Sequence, residues 1–173
     1  MSQIHVALKV ARVFFFLAVG AGLGLAQATT YTGTVVGISD GDTIKVLDGG
    51  RRQHRVRLAG IDAPEKAQAF GQRSKQSLSD LVYGRQVTID TRKDDRYGRE
   101  VGKVLVDGRD VNLEQLRRGM AWHYKAYERE QSAEDRAFYA AAEDRAREAK
   151  VGLWADPHAM APWDFRRAHS AKP

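Results

Sequence analysis

The stretch TGTVVGISDGDTIKVLDGGRRQHRVRLA, residues 32–59, decides the fold. Thr32 to Ile38 alternates around Val35 and Val36, and Thr43 to Leu47 resumes after Ser39-Asp40-Gly41-Asp42. Arg52 to Ala59 then sets polar Arg55 and Arg57 against Val56 and Leu58. A two-residue period places one face of each segment against a core, so three short strands are predicted here, the first two as a hairpin. Asp48-Gly49-Gly50 supplies the second turn, because glycine accepts the positive φ that tight hairpin turns require.

Outward from this block the period changes. Phe70, Ser74, Leu78, Leu81 and Val82 share one helical stripe, and Gly84 follows as a stop. Gln86 to Asp90 and Val101 to Val106 predict two further strands, separated by the polar segment Thr91 to Glu100. Asn112 followed by Gln115 reads as a capping box opening a short helix to Met120. Ser132 followed by Asp135 caps a longer helix over Ala133 to Lys150. Consecutive strands with a helix after the third predict an α+β chain: a five-stranded Greek-key β-barrel of the oligonucleotide-binding class with about three helices.

The two ends differ in character. Lys9 and Arg12 precede an uncharged apolar run, Val13 to Ala26, with small residues at Ala26 and Ala28. A basic segment, a short apolar segment and an A-x-A site form an export signal, and a spanning helix would need about 20 apolar residues. Residues 1–28 are therefore expected to be a signal cleaved after Ala28, with an uncleaved anchor as the alternative. The mature protein is expected outside the cytoplasm, secreted or periplasmic, without stable membrane association. Residues 29–155 would form one domain, and residues 156–173 a basic tail that packs loosely.

Composition narrows the chemistry. Lys and Arg outnumber Asp and Glu by 28 to 22, which suits a polyanionic partner. The absence of cysteine excludes disulfides, thiolate zinc sites and cysteine nucleophiles. His54, His123, His158 and His169 show no metal-ligand spacing, and no Walker-type loop, Gly-x-Ser-x-Gly elbow or His-Glu-x-x-His helix is present.

Two acidic loops remain. Asp40-Gly41-Asp42-Thr43, read alone, is a hairpin turn. Ile61-Asp62-Ala63-Pro64-Glu65, read alone, is a solvated loop or a helix start stiffened by proline. Together, Asp42, Asp62 and a backbone carbonyl could hold a hard cation such as calcium, leaving Glu65 free to accept a proton. Arg57 on its strand could grip a phosphate with a two-donor fork, and Arg99 in Asp95-Arg96-Tyr97-Gly98-Arg99 could add a second; a solvent-facing strand arginine and a solvated turn are the alternatives.

In this order, the Asp-Gly-Asp-Thr turn, the Arg57 strand, the Asp-x-Pro-Glu loop and the Tyr-Gly-Arg turn resemble the staphylococcal nuclease (thermonuclease) family. The resemblance runs from Thr32 to Trp154 and includes Gly119-Met120-Ala121 and Gly152-Leu153-Trp154. It implies a calcium-dependent nuclease acting on DNA and RNA, leaving 3′-phosphates. Asp42, Asp62 and the carbonyl of Ala63 would be calcium ligands, with Asp40 nearby. Glu65 would be the general base, Arg57 and Arg99 the phosphate clamp, and Tyr97 a substrate contact; whether Tyr124 or Tyr127 also touches phosphate stays open. One family member carries Thr where Ala63 stands, so a hydroxyl is lost and the carbonyl kept. A monomer is expected. The rival reading is a non-catalytic module of the same fold that binds nucleic acid or another polyanion.

Overall fold

The structure, a computed structural model, describes residues 29–170. The predicted signal, residues 1–28, lies outside the described residues. Five strands build the barrel: β1 (Thr29–Ile38), β2 (Thr43–Asp48), β3 (Gln53–Leu58), β5 (Gln86–Asp94) and β6 (Glu100–Val106). They lie in the order β3-β2-β1-β5-β6, and a parallel pairing of β3 with β6 closes the ring. All other pairings in the ring are antiparallel. The α+β barrel expected from the alternating segments is therefore present. Closure matters physically, because it removes the unpaired edges that an open sheet exposes.

Alternation does the work the sequence suggested. Val35, Ile44, Val46, Val56, Leu58 and Ile89 point inward and are at most 1% exposed. Each such side chain stabilises the fold by about 1.5–3 kcal/mol relative to exposure. Gly33 is required where β1 crosses β2, since a Cβ there would overlap Val46 and the Leu47 carbonyl. A bulge between Val35 and Gly37 bends β1 as it enters the Asp40–Asp42 turn.

Short strands β4 (Ile61–Asp62) and β8 (Trp122–His123) pair with each other at one end of the barrel, and β7 (Arg109–Asp110) pairs antiparallel with β6. Among the described residues four α-helices surround the ring, more than the three or so expected: α1 (Gly71–Val82), α2 (Val111–Arg117), α3 (Ala133–Glu148) and α4 (Pro162–Ser170). Helix α1 buries Ser74, Leu78 and Val82 on the predicted stripe, and the chain turns away through Gly84 at φ +72°. Ser132 caps α3 by accepting from Asp135 N, as read from the sequence. Among the described residues no helix is long and apolar enough to cross a membrane.

Two expectations are corrected. Asn112 does not cap α2; Asp110 does, accepting from Leu113 N at 3.0 Å. Asn112 is fully buried and spans the barrel closure instead. Its Oδ1 accepts from Val104 N at 3.1 Å, and its Nδ2 donates to the carbonyls of Ala59 and Gly102 at 3.0 and 3.2 Å. A buried amide that satisfies strand ends outweighs a cap, which Asp110 already provides. The segment after Trp154, expected to pack loosely, forms helix α4 against the barrel end: Ala161 is 6% exposed, and the Trp163 ring stacks on Tyr124 at 5.3 Å and 3°. Aromatic burial orders this segment despite its polar composition.

Candidate active site

The site lies where β2 begins and β3 ends. Thr43 and Arg57 are register partners, and Leu58 N donates to the Asp42 carbonyl at 2.8 Å, so strand pairing itself brings the turn beside the arginine. Gly41 sits where any Cβ would overlap Ser74 Oγ, which packs α1 directly on the turn. Gln115, buried on α2, donates to the Gly41 carbonyl at 2.9 Å and the Ser74 carbonyl at 3.2 Å, and accepts from Ser77 Oγ at 2.7 Å. The sequence suggested only a capping role for Gln115. A polar residue on a helix whose neighbours Leu113 and Leu116 are buried was the available signal for more.

Asp42 and Asp62 are 6% and 1% exposed. Thr43 Oγ1 donates to Asp42 Oδ1 at 2.9 Å, and Ala63 N donates to Asp42 Oδ2 at 2.9 Å, so the two acidic loops are tied together by a hydrogen bond. Arg57 reaches across both: Nη2 lies 2.8 Å from Asp62 Oδ1 and 3.4 Å from Asp42 Oδ2, while Nη1 donates to the carbonyls of Ile61 at 3.0 Å and Leu58 at 3.3 Å. Burial pushes Asp62 above the ordinary carboxylate range despite the adjoining guanidiniums. Burial opposes the charge on Arg57, but Asp42 and Asp62 outweigh it and raise its pKa. Asp40, whose Oδ1 accepts from Asp42 N at 3.2 Å, is pushed up to about 6 by burial and by the charge of Asp42.

Glu65 stands at the rim with its carboxylate part-exposed. Gln68 holds its loop, accepting from Glu65 N at 3.1 Å. Arg166 of α4 completes the cluster and was not anticipated from the sequence: Nη2 lies 2.8 Å from Asp62 Oδ2, and Nη1 lies 2.7 Å from Glu65 Oε1. Asp42, Asp62, Ala63, Arg57 and Glu65 are thus brought together. Arg99 and Tyr97 make no hydrogen bond or ion pair with these residues. Val101, not Arg99, is the register partner of Arg57, and Arg99 Nε donates to Asp95 Oδ2 of its own turn at 2.7 Å. Tyr97 is exposed beside it, with the Arg99 guanidinium 5.4 Å from its ring centroid.

The donors suit a hard cation in kind. Carboxylate oxygens of Asp42 and Asp62 adjoin the Ala63 backbone, and positive charge already sits against them as Arg57 and Arg166. Among the described residues no three His, Cys, Asp or Glu side chains cluster for a metal, so a cation here would draw on two carboxylates plus carbonyl and water oxygens.

The staphylococcal nuclease homologue family matches residues 55–156, more than half the chain and including Arg57, the Asp62–Glu65 loop and the Tyr97–Arg99 turn. The chain belongs to the staphylococcal nuclease family. Relatives that extend beyond that match agree. An uncharacterised endonuclease of Haemophilus influenzae is 45% identical over 77% of this chain and 71% of its own length. A micrococcal nuclease of Shigella flexneri is 42% identical over 80% and 82%, and the protein ParB of Escherichia coli is 45% identical over 78% of each. As a member of this family the chain is a hydrolase of the nuclease class.

Proposed function

We propose that this member of the staphylococcal nuclease family is an exported, monomeric, calcium-dependent nuclease that hydrolyses phosphodiester bonds of DNA and RNA and leaves 3′-phosphates. The observation that supports it best is the meeting of buried Asp42 and Asp62, beside the Arg57 guanidinium, with a carboxylate at the rim that is open to water, Glu65. Asp42, Asp62 and the Ala63 carbonyl would hold calcium, which supplies Lewis-acid polarisation of the phosphate when bound. Glu65 accepts the proton of the attacking water, the role that a part-exposed carboxylate at the rim can fill. Arg57 presents a planar fork, anchored on the Ile61 carbonyl, toward the phosphate oxygens as their charge grows in the transition state. Arg99 joins it by exchanging Asp95 for phosphate, and Tyr97 borders the substrate from the same turn.

The test is digestion of end-labelled DNA and RNA with calcium or with chelator. Both polymers should be cut only with calcium, and the fragments should accept label at free 5′-hydroxyls without prior phosphatase treatment. Cutting that persists in chelator would remove the calcium role. Tight binding without any cutting would favour the non-catalytic module, and fragments bearing 5′-phosphates would reverse the product polarity.

A further inference from the structure

Helix α4 and the residues that lead into it are held at the acidic site by three sets of contacts. Trp163 stacks on Tyr124 and meets Trp122 edge-on at 5.6 Å and 74°. Gln68, which steadies the Glu65 loop, donates from Nε2 to the Met160 carbonyl at 2.6 Å. Arg166 then occupies the carboxylates themselves. Asp62 Oδ2 receives Nη2 at 2.8 Å, Asp62 Oδ1 receives Nη1 at 3.3 Å as well as Arg57 at 2.8 Å, and Glu65 Oε1 receives Nη1 at 2.7 Å. Every oxygen of Asp62 is therefore engaged by a guanidinium.

We propose that Arg166 is a positioning residue of this site: an internal counter-cation that holds Asp62 and Glu65 and competes with a calcium ion for Asp62. This rests on the calcium reading above. Both carboxylate oxygens of Asp62 are already taken by guanidiniums, so Arg166 must give up its share for Asp62 to become a metal ligand. Arg57 pairs with Asp42 and Asp62, and Arg166 pairs with Asp62 and Glu65, so each guanidinium offsets part of the negative charge gathered there. Arg166 and a divalent cation both offset negative charge there, and both would draw on the carboxylate of Asp62, so they compete for it. Binding thus proceeds from the state in which Arg166 has left. The apparent calcium affinity is reduced by the fraction of molecules in that state. Because Arg166 is carried by α4, the helix seated on Trp122 and Tyr124 is coupled to the occupancy of the site.

The test is calorimetric titration of calcium into the substrate-free full-length protein and its variants, with no activity readout. Arg166→Gln should bind calcium more tightly, on the order of tenfold, because charge-assisted bonds no longer compete for Asp62. Arg166→Lys, which keeps the charge but not the fork, should fall between. Arg167→Gln is the control: it removes the same charge from an adjacent, exposed position whose partner is Asp164, and should bind as wild type does. In thermal melts, calcium should raise the melting temperature of Arg166→Gln more than that of wild type. Equal calcium affinity in wild type and Arg166→Gln would overturn the proposal, and so would an equal gain in Arg167→Gln, which would reduce the effect to net charge. Absence of calcium uptake by both wild type and Arg166→Gln would overturn the calcium reading and this inference with it.

Discussion

Asp62 and Glu65 share one loop and one arginine partner, yet removing the charge from each should have different consequences. On the proposed calcium reading, Asp62→Asn would replace a ligand carboxylate by a neutral amide, so the calcium requirement of cleavage should rise and excess calcium should restore part of the rate. On the same reading, Glu65→Gln would leave the ligands in place but remove the proposed proton acceptor, and single-turnover cleavage should fall by about 10²–10⁴-fold with no rescue by calcium. A calcium titration of both variants checks this; full rescue of Glu65→Gln, or an unchanged calcium requirement in Asp62→Asn, would reverse the roles. His54 permits a second test, on stability. Its Nδ1 lies 2.7 Å from Glu100 Oε1 and its Nε2 2.9 Å from Asp48 Oδ2. Burial alone would lower its pKa, but the hydrogen bonds and charges of Asp48 and Glu100 prevail and the net shift is upward. A folded pKa above the unfolded value of about 6.5 means that the stabilisation is complete below that pH and is lost as pH rises through the folded pKa. The melting temperature gap between wild type and His54→Gln should therefore be widest near about pH 5.5 and shrink on the alkaline side of 6.5; a gap independent of pH would refute the ion pairs.

Helix α2 shows how an element acquires its role from what it touches. Asp110 caps it and also accepts from Tyr139 OH at 2.9 Å, which ties its start to α3. Asn112 and Gln115 point the other way, into the barrel closure and the Asp40–Asp42 turn. Asn112→Ala would leave the Val104 amide and the Ala59 carbonyl short of a partner inside the protein, while the Gly102 carbonyl keeps the Ala59 amide, and should destabilise it by about 2–4 kcal/mol, read from denaturant midpoints. The comparison with Asn112→Ser is the informative one. Serine caps a helix as well as asparagine, so recovery in that variant would restore the capping role read from the sequence. No recovery is expected, because a hydroxyl cannot span Val104, Ala59 and Gly102 together.

At the scale of the whole molecule, the formal net charge of +6 at pH 7 and the arginines near the acidic site combine a positive surface with a negative pocket. Substrate affinity, measured in chelator so that cleavage does not interfere, should fall linearly on a log–log plot as salt rises. Replacing Arg99 by Gln should reduce the magnitude of that slope by about 0.9 for duplex DNA if its guanidinium meets a phosphate. An unchanged slope would leave Arg99 as a partner of Asp95 alone. The amino-acid sequence by itself determined the barrel, the buried stripe and the Gly84 stop of α1 and the cap of α3, because alternation, helical stripes and capping residues are local patterns that fix local geometry. It also determined that the Asp40–Thr43 and Asp62–Glu65 loops and Arg57 belong together, through motifs in a family's order. Tertiary structure alone decided that Asn112 closes the barrel, that Gln115 supports the Gly41 turn and that Arg166 meets Asp62 from 104 residues away. No period or short motif encodes such pairings: a polar side chain far along the chain gains its partner only when closure of the barrel and packing of Trp163 on Tyr124 bring the two surfaces into contact.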